Sequence, residues 1–160
     1  MKAPITLELD VTGLSHDGRG VARHEGKAVF VRGALSGEKV IARIVQRHRH
    51  YDDAQVDSVL QASPDRVEAR CPHFGVCGGC ALQHWRPAPY LAWKAEQIRL
   101  ALGHERIETE ILPAFAAPPG ARRRLALHAR PDGKGGALIG FKARRSWRLV
   151  PIEVCPVADP

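Results

Sequence analysis

Across 160 residues no apolar run approaches the roughly 18 consecutive residues that a membrane-spanning helix needs. The start, Met1-Lys2-Ala3-Pro4-Ile5-Thr6-Leu7-Glu8, lacks the apolar stretch of a secretory leader. Nothing directs the chain to export or insertion, so a cytoplasmic protein with no membrane partner is expected. Low-complexity tracts and internal repeats are also missing. Acidic side chains are in deficit, with 17 Asp and Glu against 24 Lys and Arg, a net charge of +7. A surplus of this size favours a polyanion as partner, most simply nucleic acid, although charge also serves solubility. Cysteine is scarce. There are four, and since disulfides are rare in a reducing cytosol, two disulfides suit the chain less well than four reduced thiols on a metal.

Three of the four lie within ten residues, Cys71-Pro72-His73-Phe74-Gly75-Val76-Cys77-Gly78-Gly79-Cys80, and the fourth, Cys155, stands directly before Pro156. Thiolates are soft ligands for zinc or iron–sulfur clusters, and three close together form a half-made cage that a remote fourth can close. Gly78 and Gly79, lacking Cβ, are expected to let the chain turn tightly between Cys77 and Cys80. A structural zinc site usually brings two close pairs of ligands, whereas C-x5-C-x2-C followed by a lone Cys-Pro counts three plus one. The pattern leans to a [4Fe-4S] cluster on Cys71, Cys77, Cys80 and Cys155; structural zinc and four unrelated buried thiols are the other readings.

Residues 1–62 read as short strands separated by glycines: Ile5–Leu9, Lys27–Val31 and Lys39–Val45, with Gly13, Gly18, Gly20, Gly26, Gly33 and Gly37 between and around them. The chain should be mainly β with one or two helices, opening with a five-stranded, OB-like barrel; a meander or SH3-like barrel fits the pattern almost as well. Such barrels often bind nucleic acid. Arg19, Arg23, Arg32, Arg43, Arg47, His48, Arg49 and His50 would supply phosphate contacts, or simply a solvated basic face. Ser63-Pro64-Asp65 breaks the pattern, and residues 63–103 hold the cysteine loop and a helix with Pro89 in its first turn, Tyr90, Leu91, Lys94, Ile98, Ala101 and Leu102 at helical spacing, and Gly103 as its stop. Tyr90, Trp85 and Trp93 could stack on bases, but rings beside a metal site more often pack as its lid.

Residues 104–160 form a connector and a hairpin. Arg122–Ala129 and Gly136–Lys142 read as its strands around the turn Pro131-Asp132-Gly133-Lys134-Gly135. Arg122, Arg123, Arg124, Arg130, Lys134, Lys142, Arg144, Arg145 and Arg148 face a single acid, Asp132. Cys155 follows directly, so closing a metal site would fold this basic hairpin back against the Cys71–Cys80 loop, and Arg122, Arg123, Arg124, Lys142, Arg144 and Arg145 join Arg19, Arg23 and Arg47 as candidate nucleic-acid contacts.

In combination these features resemble the N-terminal part of the bacterial RNA 5-methyluridine methyltransferases that use S-adenosylmethionine, most of all the branch acting on large-subunit ribosomal RNA. The family begins with a TRAM domain, an RNA-binding barrel, resembled by residues 1–62 with Gly-Leu-Ser-His-Asp-Gly-Arg-Gly-Val-Ala at 13–22. Its cluster motif is resembled by Cys71, Cys77-Gly78-Gly79-Cys80 and Gln83-His84, trailed by Tyr90 and Lys94. Its later strands are resembled by Arg122–Arg124, Ile139-Gly140-Phe141 and Leu149-Val150-Pro151-Ile152-Glu153-Val154-Cys155-Pro156. Ala121 stands where the family usually has an aromatic. The resemblance implies a [4Fe-4S] cluster, ribosomal RNA as partner, and S-adenosylmethionine bound only by a further, Rossmann-like domain. No Gly-rich dinucleotide-type turn occurs between a strand and a helix. Addition to uracil also needs a nucleophilic cysteine, and with four thiols on metal none is free. No catalytic residue is therefore assigned, and the 160-residue chain alone is expected to be inactive. Two other functions remain: an RNA-binding module with a structural zinc, or a ferredoxin-like electron carrier, which the wide cysteine spacing and the basic hairpin disfavour.

Overall fold

Alternating apolar residues near the start of the chain become the inner face of a curled sheet in the computed structural model, which describes residues 4–159. Residues 1–3 of the expected barrel and Pro160 of the expected closing segment lie outside the described residues. Two compact units are formed, one by the chain up to Val67 with His84–Arg86, the other by Glu68–Gln83 with Pro87 onward.

The first unit holds β1 (Thr6–Asp10), β2 (Gly13–Leu14), β3 (Gly20–His24), β4 (Lys27–Arg32), β5 (Lys39–Arg47) and β6 (Tyr51–Gln61) in the order β1-β5-β6-β4-β3-β2. Pairing is antiparallel except between β4 and β6. Five longer strands carry the expected OB-like curl and two-residue β2 is an addition. Curvature enters at three register shifts between β5 and β6, where an extra residue bends the strand. Past β1 the sheet meets its own far side, as the Thr12 N–H donates to the Val21 carbonyl of β3 at 2.8 Å. Leu9, Val29, Val31, Val40, Ala42 and Ala54 fill the interior. Each fully buried Val contributes about 1.5–3 kcal/mol relative to exposure.

One charged cluster sits inside this unit. Glu38 is 1% exposed. Its carboxylate accepts from Leu35 N–H at 2.8 Å and Ser63 N–H at 3.2 Å, and Arg66 forks onto both oxygens at 2.5 and 2.7 Å while also donating to the Gly33 carbonyl at 2.7 Å. Beside it residues 65–67 pair with 84–86: Arg66 bridges Trp85, Val67 N–H donates to the His84 carbonyl, and Arg86 N–H to the Asp65 carbonyl.

The second unit contains α1 (Pro87–His104) and a three-stranded antiparallel sheet β7-β8-β9, made of His128–Pro131, Ala137–Lys142 and Leu149–Pro151. The helix is the only one among the described residues, and it does not end at Gly103. Ile107 N–H donates to the Leu102 carbonyl and Arg106 N–H to Gly103, a Schellman cap whose left-handed residue is Arg106 at φ 57°. No described helix is long and apolar enough to cross a membrane. The basic hairpin is shorter than its sequence implies. Pairing with β8 begins at His128, because Arg122 is drawn off to Ala158, donating to the Val157 carbonyl and accepting from Asp159 N–H. The turn falls where expected, with Asp132 Oδ1 accepting from the N–H groups of Lys134 and Gly136 at 2.7 and 2.9 Å.

Candidate functional site

Short local hydrogen bonds shape the cysteine loop. Phe74 N–H donates to the Cys71 carbonyl, and Val76 and Cys77 N–H both reach the His73 carbonyl, with Gly75 at φ 83° reversing the chain. The left-handed glycine of the loop is Gly75, ahead of the Gly78-Gly79 pair expected to turn the chain. Gly78 serves close approach instead. A Cβ there would lie 2.8 Å from the Lys142 carbonyl oxygen and 3.0 Å from Arg144 N, where Gly78 N–H donates to Lys142 O at 3.0 Å and Cys77 pairs with Ala143. The end of β8 is therefore laid directly on the cysteine loop.

Cys155 arrives from the other side. Its carbonyl accepts from Ala158 N–H, and the following residues pair with Gly120 and Arg122. Cys71, Cys77, Cys80 and Cys155, none in a disulfide, end up lining one cavity of about 290 Å³ together with His73, Gln83, Arg122, Arg124 and Phe141. Gln83 accepts from Cys71 N–H at 3.3 Å, and Gly79 N–H lies 3.4 Å from Cys77 Sγ. Burial pushes the Cys80 thiol up; a hydrogen bond from Gln83 opposes this, and the neighbouring Cys71, Cys155 and Cys77 reinforce it. Each of the four cysteines thus feels the same small space, although no group of three or more His, Cys, Asp or Glu among the described residues is drawn tightly enough to share a single ion.

The motif Gln83-His84 divides at this point. Gln83 faces the thiols, whereas His84 is 3% exposed in the first unit. Burial, together with the nearby Arg66 charge and only partly offset by Glu38, lowers its imidazole to about 4, so it is neutral at pH 7.

The basic candidates fall into two kinds. Arg19 is held inside the barrel face: it pairs with Asp17 and Asp53 and lies 4.6 Å over the Phe30 ring. Asp17 is lowered to about 2, because hydrogen bonds from Ser15 and Arg19 outweigh the burial that would raise it. His48 stacks on Tyr51 at 4.3 Å, and Arg43 lies 3.2 Å from Asp57. Arg23, Arg47, Arg49 and His50 are exposed, as are Arg122, Arg123, Arg124, Arg144 and Arg145; Lys142 is half-buried. Tyr90, Trp93 and Trp85 are half-buried, with Tyr90 and Trp93 stacked on each other at 6.4 Å. Two aromatic rings are almost fully exposed among the described residues, Phe115 in the connector and Trp147, 88% accessible in the β8–β9 turn; Trp147 is absent from the candidates that the sequence suggests. Its only signal there is an indole set among Lys142, Arg144, Arg145 and Arg148.

Comparison with known proteins places these features in context. The TRAM domain signature matches residues 5–56. A Caulobacter vibrioides protein named as an uncharacterized RNA methyltransferase is 55% identical over 157 residues, which cover 96% of this chain and 36% of that protein. The 23S rRNA (uracil(1939)-C(5))-methyltransferase RlmD of Alkalilimnicola ehrlichii is 42% identical with the same coverage of each. Among solved structures, the tRNA (uracil-54, C5)-methyltransferase of Pyrococcus abyssi, in complex with S-adenosyl-L-homocysteine, superimposes with a TM-score of 0.62 at 26% identity, over 94% of this chain and 32% of that one. The chain thus spans about a third of the length of the curated relatives it matches. Residues 5–56 are a TRAM domain, and the chain as a whole is homologous to the N-terminal region of the 23S rRNA uracil-5-methyltransferases.

Proposed function

We propose that this chain is the RNA-binding and [4Fe-4S]-binding portion of an S-adenosylmethionine-dependent, cytoplasmic uracil-5-methyltransferase acting on ribosomal RNA. The observation that carries the reading is the cavity in which Cys155 meets three cysteines 75 or more residues upstream, beside Arg122 and Arg124. Three thiols from one loop and a remote fourth on a single cavity form a soft ligand set whose count and spacing suit an iron–sulfur cluster. Cys71, Cys77, Cys80 and Cys155 would hold it, with Gly79 N–H directed at the Cys77 sulfur. A cluster bound through four cysteines would serve as a cross-link, since binding free energy at a metal site is folding free energy for the segments it joins. Support for RNA and for the methyl donor comes from the TRAM domain, from the names of the relatives, and from the S-adenosyl-L-homocysteine in the Pyrococcus structure.

The residues of this chain bind and position rather than transform. Arg122, Arg123 and Arg124 are exposed, and their backbone is fixed at Arg122 by its pairing with Ala158, so they supply phosphate contacts at a defined place beside the cysteine loop. All four thiols are committed to the cavity, leaving none to add to uracil, and the 160-residue chain alone is expected to transfer no label from S-adenosylmethionine. Replacing Arg122, Arg123 and Arg124 together by Ala should weaken RNA binding and flatten its log–log salt dependence by up to about 2, since each phosphate of a single strand that is no longer neutralised removes roughly 0.7 from the slope. Filter binding across a salt series measures this. An unchanged slope would place the phosphate path elsewhere, and uracil methylation by this chain alone would mean that one of the four cysteines is a nucleophile.

A further inference from the structure

We propose that Trp147 is a base-stacking platform for single-stranded RNA, an assignment that rests on the RNA reading above and adds to it the residue that contacts a base. A large indole 88% exposed at the end of a turn is an unusual use of an apolar ring. The turn beneath it is well built. Ala143 N–H donates to the Arg148 carbonyl at 2.8 Å, Ser146 N–H to the Ala143 carbonyl at 3.1 Å, and Arg148 N–H to Ser146 Oγ at 3.0 Å, with Arg145 at φ 52°. Trp147 is therefore presented on a defined backbone, and the turn is anchored at its base, where Ala143 is buried and pairs with Cys77 of the cysteine loop.

The ring is also oriented. The Lys142 ammonium lies 3.6 Å from its centroid, an attraction between a cation and the negative face of the indole, and most of the ring is left open to solvent. The surroundings select the ligand. Lys142 lies over the ring, Arg144, Arg145 and Arg148 stand within three residues of it in the same turn, and no acidic residue occurs between Asp132 and Glu153. A flat apolar face framed by cations matches a base attached to a phosphate backbone. An unpaired base is required, because bases inside a duplex do not expose their faces whereas those of single strands stack readily on aromatic side chains. Tyr90 also carries a cation, Lys94 at 4.8 Å over its ring, but it and Trp93 are half-buried and stacked on each other rather than presented to solvent.

Anisotropy titrations of the 160-residue chain with a fluorescein-labelled oligouridine, and with inorganic polyphosphate as a base-free polyanion, test the assignment. Trp147→Ala should weaken oligouridine binding by roughly five- to a hundred-fold, the range of one base–aromatic stack, with the salt slope unchanged because the phosphates keep all their cationic partners. Trp147→Phe should retain most of the affinity, and polyphosphate should bind the parent and Trp147→Ala alike. Equal oligouridine affinity in the parent and Trp147→Ala would overturn the stacking role while leaving RNA binding through Arg122, Arg123 and Arg124 intact. Equal losses for oligouridine and polyphosphate would overturn it in favour of a charge effect. A parent that binds no oligouridine would overturn both this assignment and the RNA reading.

Discussion

Glu38→Ala is expected to destabilise the barrel by about 3–5 kcal/mol, the loss found when one partner of a buried ion pair is removed. The substitution withdraws the acceptor for the Arg66 guanidinium and for the N–H groups of Leu35 and Ser63 in one step. A small domain has only about 5–15 kcal/mol in total, so the urea midpoint should fall steeply. Replacing Glu38 and Arg66 together by Leu should recover part of the loss, because no uncompensated charge then remains. The same site sets an acid limit. Burial raises the Glu38 carboxyl, but hydrogen bonds from Arg66, Leu35 and Ser63 prevail and hold it below its ordinary 4.5. A carboxyl lowered in the folded state stabilises above pH 4.5 and loses that contribution as the pH falls below it. The parent's urea midpoint should therefore decline below pH 4.5 more steeply than that of the Leu double variant. Equal declines would remove Glu38 from the acid response.

Cys155→Ala is expected to have a still larger effect on the second unit. Its buried apolar residues are few among those described, Ala143, Leu149 and Val150, while Leu112 and Phe115 are 73% and 89% exposed. A core this thin does not hold a small unit, and such folds depend on a disulfide or metal to close them. Structural metal sites supply about 10–16 kcal/mol in zinc peptides, more than the apolar packing here can replace. Without Cys155 the hydrogen bond from Gly78 N–H to Lys142 and the β8–β9 pairing should open. Hydrogen-exchange mass spectrometry of peptides spanning 76–80 and 139–151 should show protection in the parent and near-solvent rates in the variant. Unchanged protection would mean that backbone pairing alone holds the hairpin on the loop.

Particular residues show which parts of this molecule are legible in its sequence. β1, β4 and β5 are, because apolar residues alternate there between glycine turns. β6 is not, since Asp52 and Asp53 look like loop residues until Lys27 and Arg19 pair with them across the sheet. Arg122–Leu127 reads as the first half of a hairpin strand but pairs with no strand among the described residues, because its first residue is captured by the segment after Cys155. The end of α1 differs from the expected stop because the left-handed cap, which glycine usually provides, is formed by Arg106. The convergence of the four cysteines is legible from spacing alone. The Glu38–Arg66 pair is not, as the partners are 28 residues apart and nothing local distinguishes them from surface charges. Trp147 escapes because exposure is a property of the fold and not of the residue.

The metal content of the chain purified without oxygen tests the cysteine site most directly. Bound iron and acid-labile sulfide in equal amounts, with a brown colour lost in Cys155→Ala, is the outcome expected if Cys71, Cys77, Cys80 and Cys155 hold a [4Fe-4S] cluster. A colourless protein with one tightly bound zinc, or with no metal and four titratable thiols, would contradict it.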